Sequence, residues 1–194
     1  MKKTLITILA TVLVCCCVVG GTLAWLVDST KTVTNTFTVG NVDIELKETD
    51  AEGNILNATE TAQNASFKMV PGNTIAKNPT VTVKGGSERC WLFVEITTST
   101  NFADFMEYAI ADGWDLVSGE TNVWCRDVTA NNDDQSFGVL ANNQVTVLDS
   151  VEKSAMDSLT DATLPTLAVT AYAVQYDADS LNTSALAWAE VSNN

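Results

Sequence analysis

The stretch Cys90-Trp91-Leu92-Phe93-Val94-Glu95-Ile96-Thr97 decides the fold. Side chains alternate across an extended chain, so Cys90, Leu92, Val94 and Ile96 share one face while Trp91, Phe93 and Glu95 share the other. Both faces are largely apolar. That pattern belongs to a strand covered on both sides, as at the centre of a β-sandwich.

Working outward, the flanking segments repeat the strand signal at short intervals, each bounded by Gly, Pro, Asn or Asp. Upstream, Val42, Ile44 and Leu46 alternate with Asp43, Glu45 and Lys47, which predicts a strand with one wet face. Pro71-Gly72-Asn73 predicts a tight turn, and Pro79 precedes a Thr80 to Val83 strand that stops at Gly85-Gly86. Downstream, Val123 to Val128, Gln144 to Leu148 and Thr166 to Tyr176 carry the β-branched and aromatic residues that suit a pleated sheet. Pro165 in Leu164-Pro165-Thr166-Leu167 fits the entry to that last strand. Together these segments predict an all-β chain of at least seven strands.

Helical spacing appears only in connections. Phe102, Phe105, Met106, Ala109 and Ile110 predict a helix behind Asn101 that ends at Asp112-Gly113 and lids one end of the sandwich. Val151, Ala155 and Leu159 predict a second, and Ser184 is placed as the cap of a third that carries Trp188. One to three short helices are therefore expected.

The N-terminus reads as a secretory signal peptide over residues 1–24: basic Lys2-Lys3, an apolar run from Leu5, then Gly20-Gly21 and Thr22-Leu23-Ala24. Cleavage is placed between Ala24 and Trp25, leaving 25–194 as a single domain of ordinary size. An uncleaved anchor is the rival reading, since no charge occurs between Lys3 and Asp28 and roughly 18 apolar residues begin to span a bilayer. Acylation at Cys15-Cys16-Cys17 is weaker, because Val14 is not the small residue expected before a lipidated Cys. A secreted or cell-surface location is expected, with membrane contact only before cleavage.

Charge and composition exclude more than they assign. The chain has 24 Asp and Glu against 10 Lys and Arg, a net charge of −14, and processing would remove Lys2 and Lys3 but no acid. Nucleic acid is not an expected partner. The chain has no His, which removes Ser-His-Asp and Cys-His catalysis and histidine zinc sites, and no Gly-rich phosphate loop appears. No catalytic, cofactor-binding or metal-binding residue is assigned, and the chain is not read as an enzyme. A carboxylate-pair hydrolase is a distant alternative, because abundant acids supply pairs by chance. Asn131-Asn132-Asp133-Asp134 and Asp177-Ala178-Asp179 lack the EF-hand order and read as solvated turns.

Cys90 and Cys125 are the cysteines left after processing. They read either as a bridge between two strands, worth roughly 3 to 4 kcal/mol, or as two buried thiols, with the bridge favoured slightly in an exported chain.

Gly21-Thr22-Leu23-Ala24-Trp25-Leu26-Val27-Asp28, followed by Asn35-Thr36-Phe37-Thr38-Val39-Gly40-Asn41-Val42-Asp43-Ile44, resembles the opening of the camelysin/TasA family of secreted matrix proteins, processed by the SipW type of signal peptidase. Val70-Pro71-Gly72-Asn73 and Leu167 to Gln175 are similar to later pieces of that family, whereas the likeness is vague between Asn101 and Ser158, and the Trp91, Trp114 and Trp124 set and the Cys90 and Cys125 pair do not map onto it. The resemblance implies a jelly-roll-like antiparallel β-sandwich and self-assembly into biofilm matrix fibres, with a matrix co-assembly protein as a further partner. The metalloprotease activity associated with the camelysin branch finds no zinc chemistry in a chain without His.

Physics supplies a route to fibres. Trp25, Leu26, Val33, Phe37 and Val39 make residues 25–39 a Thr-rich candidate donor strand, which can add to a vacant sheet edge of the next subunit and propagate head to tail. Folding back as the first strand of its own domain satisfies the same chemistry. A non-polymerising binding module for a glycan or protein, with Trp114 or Trp124 exposed as a platform, is the alternative function.

Overall fold

The computed structural model describes residues 41–49, 54–57 and 67–193, all within one compact unit, Val39–Asn194. The signal peptide, the Ala24/Trp25 cleavage point and the donor segment with Trp25, Leu26, Val33, Phe37 and Val39 lie outside the described residues.

Strands dominate the regular structure of the described chain: β1 (Ile44–Thr49), β2 (Ile55–Asn57), β3 (Thr74–Ala76), β4 (Thr80–Val83), β5 (Cys90–Thr98), β6 (Met106–Glu107), β7 (Asp115–Leu116), β8 (Val123–Val128), β9 (Gln135–Gly138), β10 (Gln144–Val147) and β11 (Leu167–Gln175). The helices are short: α1 (Phe102–Phe105), α2 (Lys153–Asp157) and α3 (Ser184–Ser192). All strand pairs are antiparallel.

Two ladders, β2-β1-β4-β9 and β3-β10-β6, make one bent layer. β3 runs on into β4 and β9 into β10, and Val139 N–H to Pro79 O, Ala111 N–H to Val139 O, and Lys77 N–H to Asn143 O bridge the gap at 2.9–3.0 Å. The bend falls at Asn142 and Asn143, both with φ near +55°, a left-handed conformation that Asn tolerates better than most residues. The second layer is β11-β5-β8-β7, and the chain crosses between layers at β4–β5, β5–β6, β6–β7, β8–β9 and β10–β11. This is the all-β antiparallel sandwich expected from the sequence.

β5 is the double-faced strand its sequence predicts. Cys90, Leu92, Val94 and Ile96 join Val81, Val83, Val145 and Val147 in the core between the layers. Phe93, on the opposite face and 0% exposed, joins Val123, Cys125, Ala187 and Trp188 in a second core under α3. Phe93 and Tyr172 lie 5.4 and 5.5 Å from the Trp188 ring, tilted or edge-on as aromatic quadrupoles prefer. The predicted Pro71-Gly72 turn closes through Asn73 N–H to Val70 O at 3.0 Å, with Gly72 at φ +76° as a type II turn requires.

Two helix expectations need correction. The segment behind Asn101 is one turn: at Met106 the backbone becomes extended (φ −144°, ψ 156°) and pairs with β10. Phe102, Phe105 and Met106 still reach the core, so their apolar spacing is satisfied by one turn plus a strand start, and Asn101 donates to Thr163 O rather than capping. In α3 the cap is Thr183, whose hydroxyl accepts from Leu186 N–H; Ser184 is already helical and hydrogen-bonds the Cys125 thiol.

Surface charges pin loops. Asp134 accepts from Gly85 N–H and pairs with Lys84, and Lys84 and Lys47 both meet Glu45, so the partners hold the Asp134 and Glu45 carboxyls below their ordinary range. Arg89, stacked 3.6 Å over the Tyr176 ring, does the same to Asp127. A depressed carboxylate pKa contributes stability that is complete above the ordinary value of about 4 and disappears as pH falls through the folded-state value. The domain should therefore hold its urea midpoint from pH 7 to about pH 4 and lose it below. Asp127→Asn should lower the midpoint near neutrality and make the acid loss shallower.

Candidate functional site

β11 lies at the margin of its layer. It pairs with β5 over all nine residues, from Leu167↔Thr98 to Gln175↔Cys90, and among the described residues no strand pairs with its other flank. Tyr176 N–H donates to Arg89 O and Ser99 N–H donates to Thr166 O, which fixes the parity of the ladder. Even-numbered residues of β11 exchange their backbone bonds with β5. The N–H and C=O groups of Leu167, Val169, Ala171, Ala173 and Gln175 therefore point away from β5, because bonding direction alternates along an antiparallel strand.

The same odd-numbered residues turn Leu167, Val169, Ala171 and Ala173 into the interlayer core. A strand laid along this edge would meet backbone partners at every second residue while β11 keeps its packing. Native sheets blunt margins of this length with Lys, Pro, inward charge or bulges. Leu-Ala-Val-Thr-Ala-Tyr-Ala-Val-Gln has no charge and no Pro, and its register with β5 is unbroken. β1 of the facing layer approaches β11 without pairing to it, so the edge runs along a seam of the sandwich.

The cysteine pair is not a bridge. Cys125 lies opposite Phe93 and Cys90 opposite Val128, an offset of three positions along the β5–β8 ladder. That spacing is roughly 10 Å, beyond the roughly 7 Å between Cα atoms that a disulfide spans. The odd offset also sends the two thiols to opposite faces, Cys90 into the interlayer core and Cys125 under α3, and both are free. Burial pushes the Cys90 thiol up to about 11 and also raises Cys125, against the Ser184 hydrogen bond. Protein beginning at Trp25 should melt within about 1 °C with and without reductant, since a constraint worth 2–4 kcal/mol would shift the midpoint by several degrees.

The tryptophans are also placed differently from the platform expectation. Trp114 is 6% exposed and donates Nε1–H to Gly138 O at 2.8 Å. Trp124 is half-buried against the interlayer core, and Trp91 donates to Leu181 O at 2.9 Å. Apolar faces spent on the core do not offer a flat stacking surface to a sugar.

The acidic turns are held by their own backbone: Asn131 Oδ1 accepts from Asp133 N–H, and Asp177 Oδ1 accepts from Asp179 and Ser180 N–H. Among the described residues no group of three or more Cys, Asp or Glu is gathered as a metal site, and no helix is long and apolar enough to cross a membrane. Comparison of the chain with family models, curated proteins and solved structures finds no match.

Sequence reasoning located β11 but not its marginal position. Its alternating, charge-free composition suits an inner strand equally well, and only the ladder order distinguishes the two.

Proposed function

We propose that this chain is a secreted structural subunit of extracellular matrix fibres, in which residues 25–39 of one subunit, freed by removal of the signal peptide, add as a donor strand to the β11 edge of the next. The carrying observation is that edge: nine residues without charge or Pro in unbroken register with β5, with outward backbone groups at five positions and, among the described residues, no strand paired to them. Strand addition gives affinity through backbone hydrogen bonds, each about 1 kcal/mol net, and specificity through alternate side chains. Trp25 and Phe37 would act as anchors along the seam between β1 and β11. The contact is heterologous, so it extends instead of closing.

Processing gates this step, because before cleavage the donor segment is tethered to the apolar leader. The resemblance of residues 21–44 to the camelysin/TasA opening supports the same reading, with a SipW-type peptidase as the processing partner and a matrix protein as a co-assembling one. The glycan-platform alternative has lost its exposed tryptophans.

Electron microscopy of purified protein beginning at Trp25, beside a version with extra residues before Trp25, tests the proposal. Filaments from the free N-terminus alone are expected. Monomers from both versions would refute it.

A further inference from the structure

β8 turns Trp124 and Arg126 to the same side, toward the space between the layers. The Arg126 guanidinium lies 4.2 Å from the centre of the Phe137 ring, on the facing layer, and 5.2 Å from that of Trp114. It is held there by shape as well as by the rings. Gly113 (φ +86°) runs so close that a Cβ would stand 2.5 Å from Arg126 Nη2. Among the described residues no hydrogen bond or ion pair reaches the guanidinium; Asp115, on neighbouring β7, acts on it only through space. Two positions along the strand, the Trp124 indole N–H is buried and has no hydrogen-bond partner among the described residues.

Two unmatched donors on one strand face are costly. A buried N–H without an acceptor forfeits its hydration, and burial lowers the Arg126 pKa, meaning that this site penalises the bare charge. The ring faces satisfy the plane of the guanidinium but leave its in-plane N–H fork, which matches a carboxylate, unfilled. Arg126 is half-buried, so a small group can reach it from the rim.

We propose that Arg126 and Trp124 form a carboxylate-binding site, in which the guanidinium fork takes the two oxygens and the Trp124 indole N–H supplies a further hydrogen bond. The site is separate from the β11 edge. Free organic acids and the Asp or Glu side chains of another chain share this chemistry.

The test is a titration of monomeric protein with sodium acetate, followed by the Trp124 indole N–H and Arg126 Nε–H resonances, against sodium chloride at equal ionic strength. Acetate should shift both resonances saturably and chloride should not. Arg126→Gln should weaken binding by roughly tenfold or more, and Trp124→Phe by roughly three- to tenfold, the factors expected for a charge-assisted and an ordinary hydrogen bond. Should Arg126→Gln not fold, Arg126→Lys keeps the charge without the fork and should still weaken binding. A capped peptide, acetyl-Ala-Asp-Ala-amide, separates the sources: tighter binding than acetate assigns a protein side chain, and equal binding assigns a small acid. Indistinguishable shifts from acetate and chloride, or unchanged acetate affinity in Arg126→Gln or Arg126→Lys, would overturn the proposal.

Discussion

A subunit carrying Ala171→Pro should fold and yet fail to elongate filaments. Proline removes one backbone N–H and fixes φ, so its effect on a strand depends on where that N–H points. The Ala171 N–H points away from β5, by the parity that Tyr176–Arg89 and Ser99–Thr166 establish. The substitution therefore breaks no bond inside the sandwich but deletes a central donor from the edge and places a ring across the incoming strand. Assembly is expected to drop to background, with a melting temperature within a few degrees of the parent. Thr170→Pro is the matched control, because that N–H bonds toward β5 opposite Glu95, and its loss should cost about 3 kcal/mol or more. Electron microscopy and thermal melts of the two variants separate edge from core. Normal filaments from Ala171→Pro would remove the β11 edge from the assembly mechanism.

Trp188→Ala should give the largest change in the domain itself, a loss of about 3 kcal/mol in urea unfolding, as for other large-to-small changes at buried aromatic positions. Trp188 is the main anchor of α3: its ring meets Phe93 and Tyr172, and its Nε1–H donates to Glu120 at 3.1 Å. The helix also packs Ala187 and the partly buried Val191 against the same core. It is nine residues long, too short for stability on its own, and its remaining buried residue is Ala187. Loosening α3 uncovers Cys125 while leaving Cys90 enclosed between the layers. Thiol labelling of native Trp188→Ala should therefore modify Cys125 at least tenfold faster than in the parent and leave Cys90 unreacted. Equal acceleration at both cysteines would mean global opening and would deny α3 its role as a separate cover.

The difference between the two cysteines also shows how far the sequence reaches. The alternation from Cys90 to Ile96 placed Cys90 inward and gave β5 two covered faces, and the boundaries of Val123–Val128 followed from the same local rule. Whether Cys90 can meet Cys125 depends on the register between β5 and β8. That register is a long-range quantity, and a one-residue slip reverses every face. The helix behind Asn101 failed for a related reason: the spacing of Phe102, Phe105 and Met106 fits any path that returns those side chains to the core, and pairing with β10 chose a strand after one turn.

By itself, then, the sequence determined the local chemistry: an all-β chain with turns where Pro and Gly force them, a double-faced central strand, and no histidine chemistry. Those features depend on side-chain period, φ restriction and composition, which act over a few residues. Tertiary structure alone decided that β11 stands at the margin of its described layer with five residues turned outward, that the thiols face different cores, and that Arg126 lies against two rings with no acceptor among the described residues. Each depends on which distant segments come together, and burial and ladder order are properties of the assembled layers, not of any segment within them.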